Sequence, residues 1–333
     1  ISECLVGSEM CIRDRCGRNF EYMSEDPHLI GRMAAPLVQG IQSQDVAACV
    51  KHFALNNQEC DRLSVDTKVD DKTLFELYLP AFYDALMEGG SYSVMGAYNK
   101  YDGEFCCENA TLLKKILRDL WHYDGVTISD WGGVHNTEKT ALNGVDMEMS
   151  VTPDFDDYKL ANPLLEKVKS RKIDESVIDE RIERILTMME RIKLGDKTRN
   201  KGCTNTKDHQ QTIQQIAEEG IVLLKNDTAH LPLSKETKKI LVLGDNAKRT
   251  HAAGGGSAEI KALYDISPLL GMRMVLGGDA QIDWLPGYYV DNEKHVTGEV
   301  DWQAESLDVD YTTDRGKEQF DKEIRPIREK YLK

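Results

Sequence analysis

The chain contains no apolar run approaching the roughly 18 residues that a membrane-spanning helix needs. Basic residues are also scarce: 42 Lys and Arg stand against 57 Asp and Glu, a formal charge of −15. That deficit argues against nucleic acid and membrane surfaces as partners, because both reward positive patches, and it leaves a neutral small ligand unaffected. The eight cysteines (Cys4, Cys11, Cys16, Cys49, Cys60, Cys106, Cys107 and Cys203) form no Cys-x-x-Cys pair and no zinc-like spacing, so no metal is implied. Their scatter favours a reducing, cytoplasmic compartment over a disulfide framework, and Cys49, inside an apolar strand-like run, suits a reduced buried thiol. Gly254-Gly-Gly256 lacks the context and the paired Lys of a phosphate loop, and a hinge loop explains three glycines equally well. No initiator Met is present. Residues 1–15 have no clear period and include a stretch, Val6 to Asp14, like a translated sequencing adapter; they are read as a non-native leader.

What is present is a globular composition, 41% hydrophobic and 30% charged over 333 residues. Helical and strand periods alternate. His28 to Gln42 reads as a helix, Val46 to Val50 as a buried strand ending in Lys51-His52, and Asp70 or Asp71 to Glu88 as a helix. Ser93 to Ala97 is a strand ending in Tyr98-Asn99, Asn109 caps a helix to Trp121, and Val126 to Ile128 is a strand that delivers Ser129, Asp130 and Trp131. A short helix at Glu138 to Leu142, a strand at Val145 to Met149, and helices at Pro163 to Lys172 and Asp174 to Leu194 follow. Short strands separated by helices imply parallel pairing with crossover connections. Polar residues gather just after successive strands, as on the active face of a (β/α) barrel. The expected fold is therefore α/β: an incomplete (β/α)8 TIM-like barrel over residues 16–194, a linker at 195–206, and the start of an α/β/α sandwich domain at 207–333. In that second domain Asp208 to Glu219 reads as a helix, Ile221 to Lys225 and Ile240 to Asp245 as strands, and Arg315 to Lys333 as a charged helix.

A carboxylate beside an indole at the mouth of a strand suits sugar cleavage. Asp130 can act as a nucleophile on an acetal carbon, and Trp131 offers a flat face to a pyranose; an Asp in this place is also a common helix N-cap. Tyr98, at the end of the preceding strand, is placed to donate its hydroxyl to that carboxylate, and is otherwise a core aromatic. Lys51 and His52 suit donors to vicinal hydroxyls. Arg62 and Arg18 are further basic candidates; the alternatives are pairing with Asp61 and a surface salt bridge, respectively. Asp146 and Glu148 read as supporting charges.

Several stretches resemble glycoside hydrolase family 3: Cys16-Gly-Arg-Asn-Phe-Glu-Tyr-Met-Ser-Glu-Asp-Pro27, Val50-Lys-His-Phe-Ala-Leu-Asn-Asn-Gln-Glu59, Val94-Met-Gly-Ala-Tyr-Asn99 and Val126-Thr-Ile-Ser-Asp-Trp131. Gly144-Val-Asp-Met-Glu-Met149, Gly220-Ile-Val-Leu-Leu-Lys-Asn226 and Gly254-Gly-Gly-Ser-Ala258 follow in family order. The resemblance is to its β-glucosidases and extends over residues 16–333. It implies retaining hydrolysis of terminal β-D-glucosyl residues, with Asp130 as nucleophile and no cofactor. Arg18, Lys51, His52, Arg62, Tyr98 and Trp131 would line the sugar subsite. The expected partner is a small-molecule or oligosaccharide β-glycoside, and an oligomer is compatible with the sequence. The His-Phe-Pro-Gly-His pattern of the family's N-acetylhexosaminidases is absent. An early sugar-gripping Asp and the acid/base Glu, which the family holds in a Glu-Gly-x-Asp-Arg context, have no counterpart here; Glu259 is not that residue. The expectation is a chain with the nucleophile half of a two-carboxylate site, inactive alone. The alternatives are a β-xylosidase or related exo-glycosidase, a non-catalytic carbohydrate-binding protein and, on the Gly loop, a nucleotide-binding protein.

Overall fold

A computed structural model describes residues 22–59, 61–150, 152–199, 201–234, 236–250 and 262–285. The chain divides into two compact units, Ile1–Cys203 and Thr204–Lys333. The leader at 1–15, Arg18, the glycine loop with Glu259, and the expected helix from Arg315 lie outside the described residues.

In the first unit, helix α1 (Pro27–Gln42) starts where Asp26 accepts hydrogen bonds from the His28 and Leu29 amides, with Pro27 at the position where no amide is needed. Three parallel strands follow: β1 (Cys49–Phe53), β3 (Ser93–Gly96) and β6 (Val126–Ile128), in the order β1-β3-β6. Cys49 faces Ser93 in register, and Ser93 faces Val126. Met147 adds a parallel bridge to Ile128, where the sequence had suggested a full strand. Parallel neighbours need crossovers, and helices supply them. Between β1 and β3 runs α2, in which α-turns Asp71–Thr73 and Leu79–Tyr83 alternate with π-type turns Leu74–Tyr78 and Asp84–Glu88. Between β3 and β6 runs the π-type helix α3 (Thr111–Leu120), capped by Asn109, whose side-chain oxygen accepts from the Leu112 amide at 2.9 Å.

The core lies between sheet and helices. Phe53, Leu74, Leu79, Val94, Leu112 and Leu117 are all at most 2% exposed. Phe53 meets Phe82 edge-on at 5.1 Å and Trp121 at 5.9 Å, geometries that add to plain burial. A second apolar cluster, Ala141, Leu164 and Ile173, joins α4 (Thr137–Asn143) to α5 (Asn162–Lys169) and the segment before α6 (Ser176–Arg191).

The first strand corrects the sequence reading. It is Cys49–Phe53 and not 46–50, so Lys51 and His52 lie within it, at a register irregularity between Val50 and Phe53. Such irregularities re-aim side chains. Being an edge strand of the described sheet, it leaves Cys49 exposed, against the expectation of a buried thiol. A small hairpin was also not foreseen: β4 (Lys100–Tyr101) pairs antiparallel with β5 (Glu104–Phe105). Asp102 and Gly103 both take positive φ in its two-residue turn, as an Asp-Gly hairpin requires. Strand β2 (Asp66–Thr67) pairs parallel with β4.

In the second unit, α7 (Lys207–Gly220) is capped by Thr206, and β7 (Lys239–Leu243) and β8 (Gln281–Leu285) pair in parallel through α8 (Pro268–Leu276). The strand expected at Ile221 to Lys225 is absent. That stretch is irregular, with Ile221 77% and Leu224 90% exposed. An apolar, β-branched run becomes a strand only where a neighbour accepts and donates its backbone hydrogen bonds, and none does so here among the described residues.

Candidate active site

Strand β6 ends at Ile128, and Ser129 locks the following turn. Its hydroxyl accepts from the Met149 amide at 2.8 Å, and its own amide donates to the Met147 carbonyl at 2.9 Å. Asp130 then sits 7% exposed at the end of the strand. Its Oδ1 accepts from the Trp131 amide at 2.8 Å, and its Oδ2 lies 3.5 Å from Nε2 of His52, a side chain only 3% exposed. The carbonyl of Asp130 accepts from the Gly133 amide at 3.0 Å, closing a tight turn. Gly132 takes a φ of 72°, a left-handed conformation that glycine adopts without strain. One carboxylate oxygen is thus tied to the backbone and the other faces the imidazole.

His52 also borders a cavity of about 500 Å³ between α1, β1 and α2. Lys51, Asn56, Tyr78 and Phe82 share its wall. Asn56 was not singled out from the sequence; it is 2% exposed, and neither of its amide atoms has a hydrogen-bond partner among the described residues. Trp131 follows Asp130 with 47% of its surface exposed, as a ligand platform needs. Arg62 binds Glu59 at 2.6 Å, where the sequence had offered Asp61, and stacks its guanidinium 4.9 Å from the Tyr98 ring centre. The geometry therefore brings together Asp130 with His52, and Arg62 with Tyr98.

The two supporting carboxylates are structural. Asp146 is fully buried: Oδ2 accepts from Arg118 Nη2 at 2.9 Å and the Thr127 amide at 2.7 Å, and Oδ1 accepts from Arg184 Nη1 at 2.8 Å. Glu148 Oε2 accepts from the Leu160 amide at 2.7 Å. Residues that sequence reasoning passed over include Cys106, Cys107 and Glu108, all at most 4% exposed. Burial pushes the Cys106 thiol up to about 12 and raises that of Cys107 as well. Among the described residues no group of three or more His, Cys, Asp or Glu is arranged to hold a metal ion, and no helix is long and apolar enough to cross a membrane.

The sequence profile of the glycosyl hydrolase family 3 N-terminal domain matches residues 10–188, and that of the family 3 C-terminal domain matches residues 221–324. The chain belongs to glycosyl hydrolase family 3. This family 3 chain is 42% identical over 276 residues to beta-glucosidase BoGH3A of Bacteroides ovatus, covering 78% of the chain and 37% of the relative. It is 38% identical to thermostable beta-glucosidase B of Acetivibrio thermocellus, over 88% of the chain and 38% of that protein. Among solved structures it resembles the Kluyveromyces marxianus beta-glucosidase in complex with glucose, with a TM-score of 0.74 at 35% identity, over 84% of the chain and 34% of that structure. The Thermotoga neapolitana beta-glucosidase 3B in complex with glucose gives 0.73 at 36% identity, over 82% and 38%. The chain thus spans under two fifths of the length of these relatives.

Proposed function

We propose that this chain carries the nucleophile and sugar subsite of a retaining β-glucosidase, with its parallel strands forming a sector of a (β/α)8 barrel. The observation that carries this reading is Asp130: a nearly buried carboxylate at a parallel strand end, one oxygen held by the next amide and the other facing His52. The family membership and the relatives named beta-glucosidases support the same reading.

In this reading Asp130 attacks the anomeric carbon as the bond to the leaving oxygen breaks, giving a glycosyl ester with inverted configuration. Water then attacks the same carbon and releases Asp130 as carboxylate, so two inversions yield net retention. A second carboxyl group, not assigned to any residue here, protonates the leaving oxygen and later deprotonates the water. Lys51 and His52 donate hydrogen bonds to sugar hydroxyls, Trp131 stacks on the ring, and Arg62 and Tyr98 form one wall, with Arg18 a further donor.

An activated fluorosugar tests the nucleophile without needing the acid. The probe is 2,4-dinitrophenyl 2-deoxy-2-fluoro-β-D-glucoside, whose leaving group departs unprotonated. Peptide mapping by mass spectrometry is expected to place the fluoroglucosyl ester on Asp130 and to find none in an Asp130→Gly variant of unchanged circular dichroism. A label on any other side chain, or labelling that survives in the variant, overturns the assignment. The xyloside analogue run in parallel separates glucosidase from xylosidase.

A further inference from the structure

Three strands carry the candidate site: β1 holds Lys51 and His52 within it, β3 is followed by Tyr98, and β6 is followed by Asp130 and Trp131. Parallel strands of three to five residues do not by themselves hold their ends in a fixed relation, because the ladder stops where the site begins. One short segment reaches all three. Cys106–Glu108 forms a 3₁₀ turn directly after the β4–β5 hairpin, and its three side chains are 0%, 0% and 4% exposed.

Two side chains of that turn serve strand ends, and the third serves the start of α4, at the far end of the loop that follows β6. The Cys106 thiol donates to the carbonyl of Ala54, the residue after β1, at 3.3 Å. The Cys107 thiol donates to the carbonyl of Ala97, the residue after β3, at 3.5 Å, and its sulfur lies against the backbone amide of Asp130. Glu108 Oε1 accepts from the amides of both His135 and Asn136 at 2.5 Å, pinning the far end of the loop that begins at Trp131. The turn itself is anchored where the Cys106 amide donates to the Asn99 carbonyl at 2.9 Å.

Packing supports the same point. A Cβ on Gly96 would come within 2.6 Å of Cys107 Sγ, and one on Gly133 within 3.4 Å. The sulfur therefore fills a gap bounded by β3 on one side and the Asp130 turn on the other. A thiol is a weak donor, so Cys106 and Cys107 act mainly as spacers of fitted size. The Glu108 carboxylate, with two amide donors in a dry setting, is the stronger tie.

We propose that Cys106-Cys107-Glu108 is a positioning element that sets the distance and angle between Asp130 and the donors on the other two strand ends. This rests on the reading of Asp130 as nucleophile and names what holds it in place. None of the three touches substrate. Their effect on rate comes through alignment, where a displacement of about 1 Å costs on the order of a hundredfold.

The test compares variants of the full chain. Glu108→Met keeps the length and removes the acceptor, Glu108→Gln restores a carbonyl oxygen at the same place, and Cys107→Val crowds Gly96 and Gly133. Ile173→Ala, in the separate apolar cluster, serves as a control for destabilisation alone. The readouts are the rate of fluoroglucosyl ester formation on Asp130 and amide exchange over residues 130–136, both well below the melting temperature. Glu108→Met and Cys107→Val are expected to slow ester formation about a hundredfold at saturating probe and to speed exchange in 130–136. Glu108→Gln should stay within about threefold of the parent, and Ile173→Ala should leave both readouts unchanged. Equal slowing in Ile173→Ala, failure of Glu108→Gln to restore the rate, or unchanged labelling and exchange in Glu108→Met each overturns the proposal. If the parent itself takes no label on Asp130 while Glu108→Met still loosens 130–136, the tie stands and the nucleophile assignment falls.

Discussion

The buried Asp146 cluster offers a sharp energetic test of how β6 is held. Replacing Asp146 with Ala removes one carboxylate that neutralises two guanidinium groups and accepts the Thr127 amide, three residues before Asp130. Removing one partner of a buried ion pair costs roughly 3–5 kcal/mol, since the other charge stays behind uncompensated. Here the orphans keep some partners. Arg118 still donates to the carbonyls of Tyr123 at 2.6 Å and Gly125 at 2.8 Å, and to the Thr127 hydroxyl at 2.7 Å. Arg184 still meets Glu180 at 3.3 Å. These place the expected loss near the lower limit, about 3 kcal/mol. Asp146→Asn retains one acceptor but turns an amide donor toward a guanidinium, so it should fall between Ala and the parent. Adding Arg184→Met to Asp146→Ala removes one stranded charge and should return about 1 kcal/mol, a non-additivity expected of residues in contact. The assay is urea unfolding followed by hydrogen-exchange mass spectrometry on peptides spanning Val126–Ile128, which reports the first unit separately from the second. A loss below about 1 kcal/mol, or a double variant less stable than Asp146→Ala, would refute the view that this carboxylate is an uncompensable charge centre.

Two further outcomes follow from groups elsewhere. Of the four described cysteines, exposed Cys203 should react fastest with a thiol reagent in the native protein at pH 8, and Cys49, whose thiol is raised by burial, more slowly; Cys106, held near 12 by burial, and Cys107 should react only after unfolding, and native labelling of Cys107 at the rate of Cys203 would contradict its burial. Asp124 is held below its usual 3.8 first by its hydrogen bond to Arg191, at 2.5 Å. A depressed carboxylate contributes stability above its unfolded-state value and loses it as pH falls through the folded-state value. Asp124→Asn should therefore cost up to about 1 kcal/mol at pH 7, the range for a largely exposed pair, and nothing once pH has fallen well below 3.8. A difference in melting temperature that persists at the acid limit would exclude this pair as its source.

Much of the first unit was legible because its signals are local. The helical period from His28, the Asn109 cap, and the apolar runs at Ser93 and Val126 each declare an element within a few residues. The Asp102-Gly103 hairpin carried an equally local signal that the helix–strand alternation obscured. The three-residue displacement of β1 has a different origin. Val46 to Phe53 is uniformly strand-compatible, and which part pairs is settled by the register against Ser93 and Val94 on β3. Ile221 to Lys225 illustrates the same dependence in reverse: a strand-like composition remained irregular because no neighbour pairs with it among the described residues.

The site divides along the same line. Asp130, Trp131, Lys51 and His52 announce themselves by residue type at strand ends or within a strand, and their order along the chain is covalent. Their mutual geometry is not. The 3.5 Å approach of His52 to Asp130 joins residues 78 positions apart, and it exists only because β3 lies between β1 and β6. Glu108 and Asp146 bring the same carboxylate chemistry to the chain. Packing made one a clamp on backbone amides and the other the hub of a buried arginine cluster. Residue chemistry and local periodicity are properties of neighbours in the chain, whereas burial, pairing and register are properties of neighbours in space, and only folding brings the latter together.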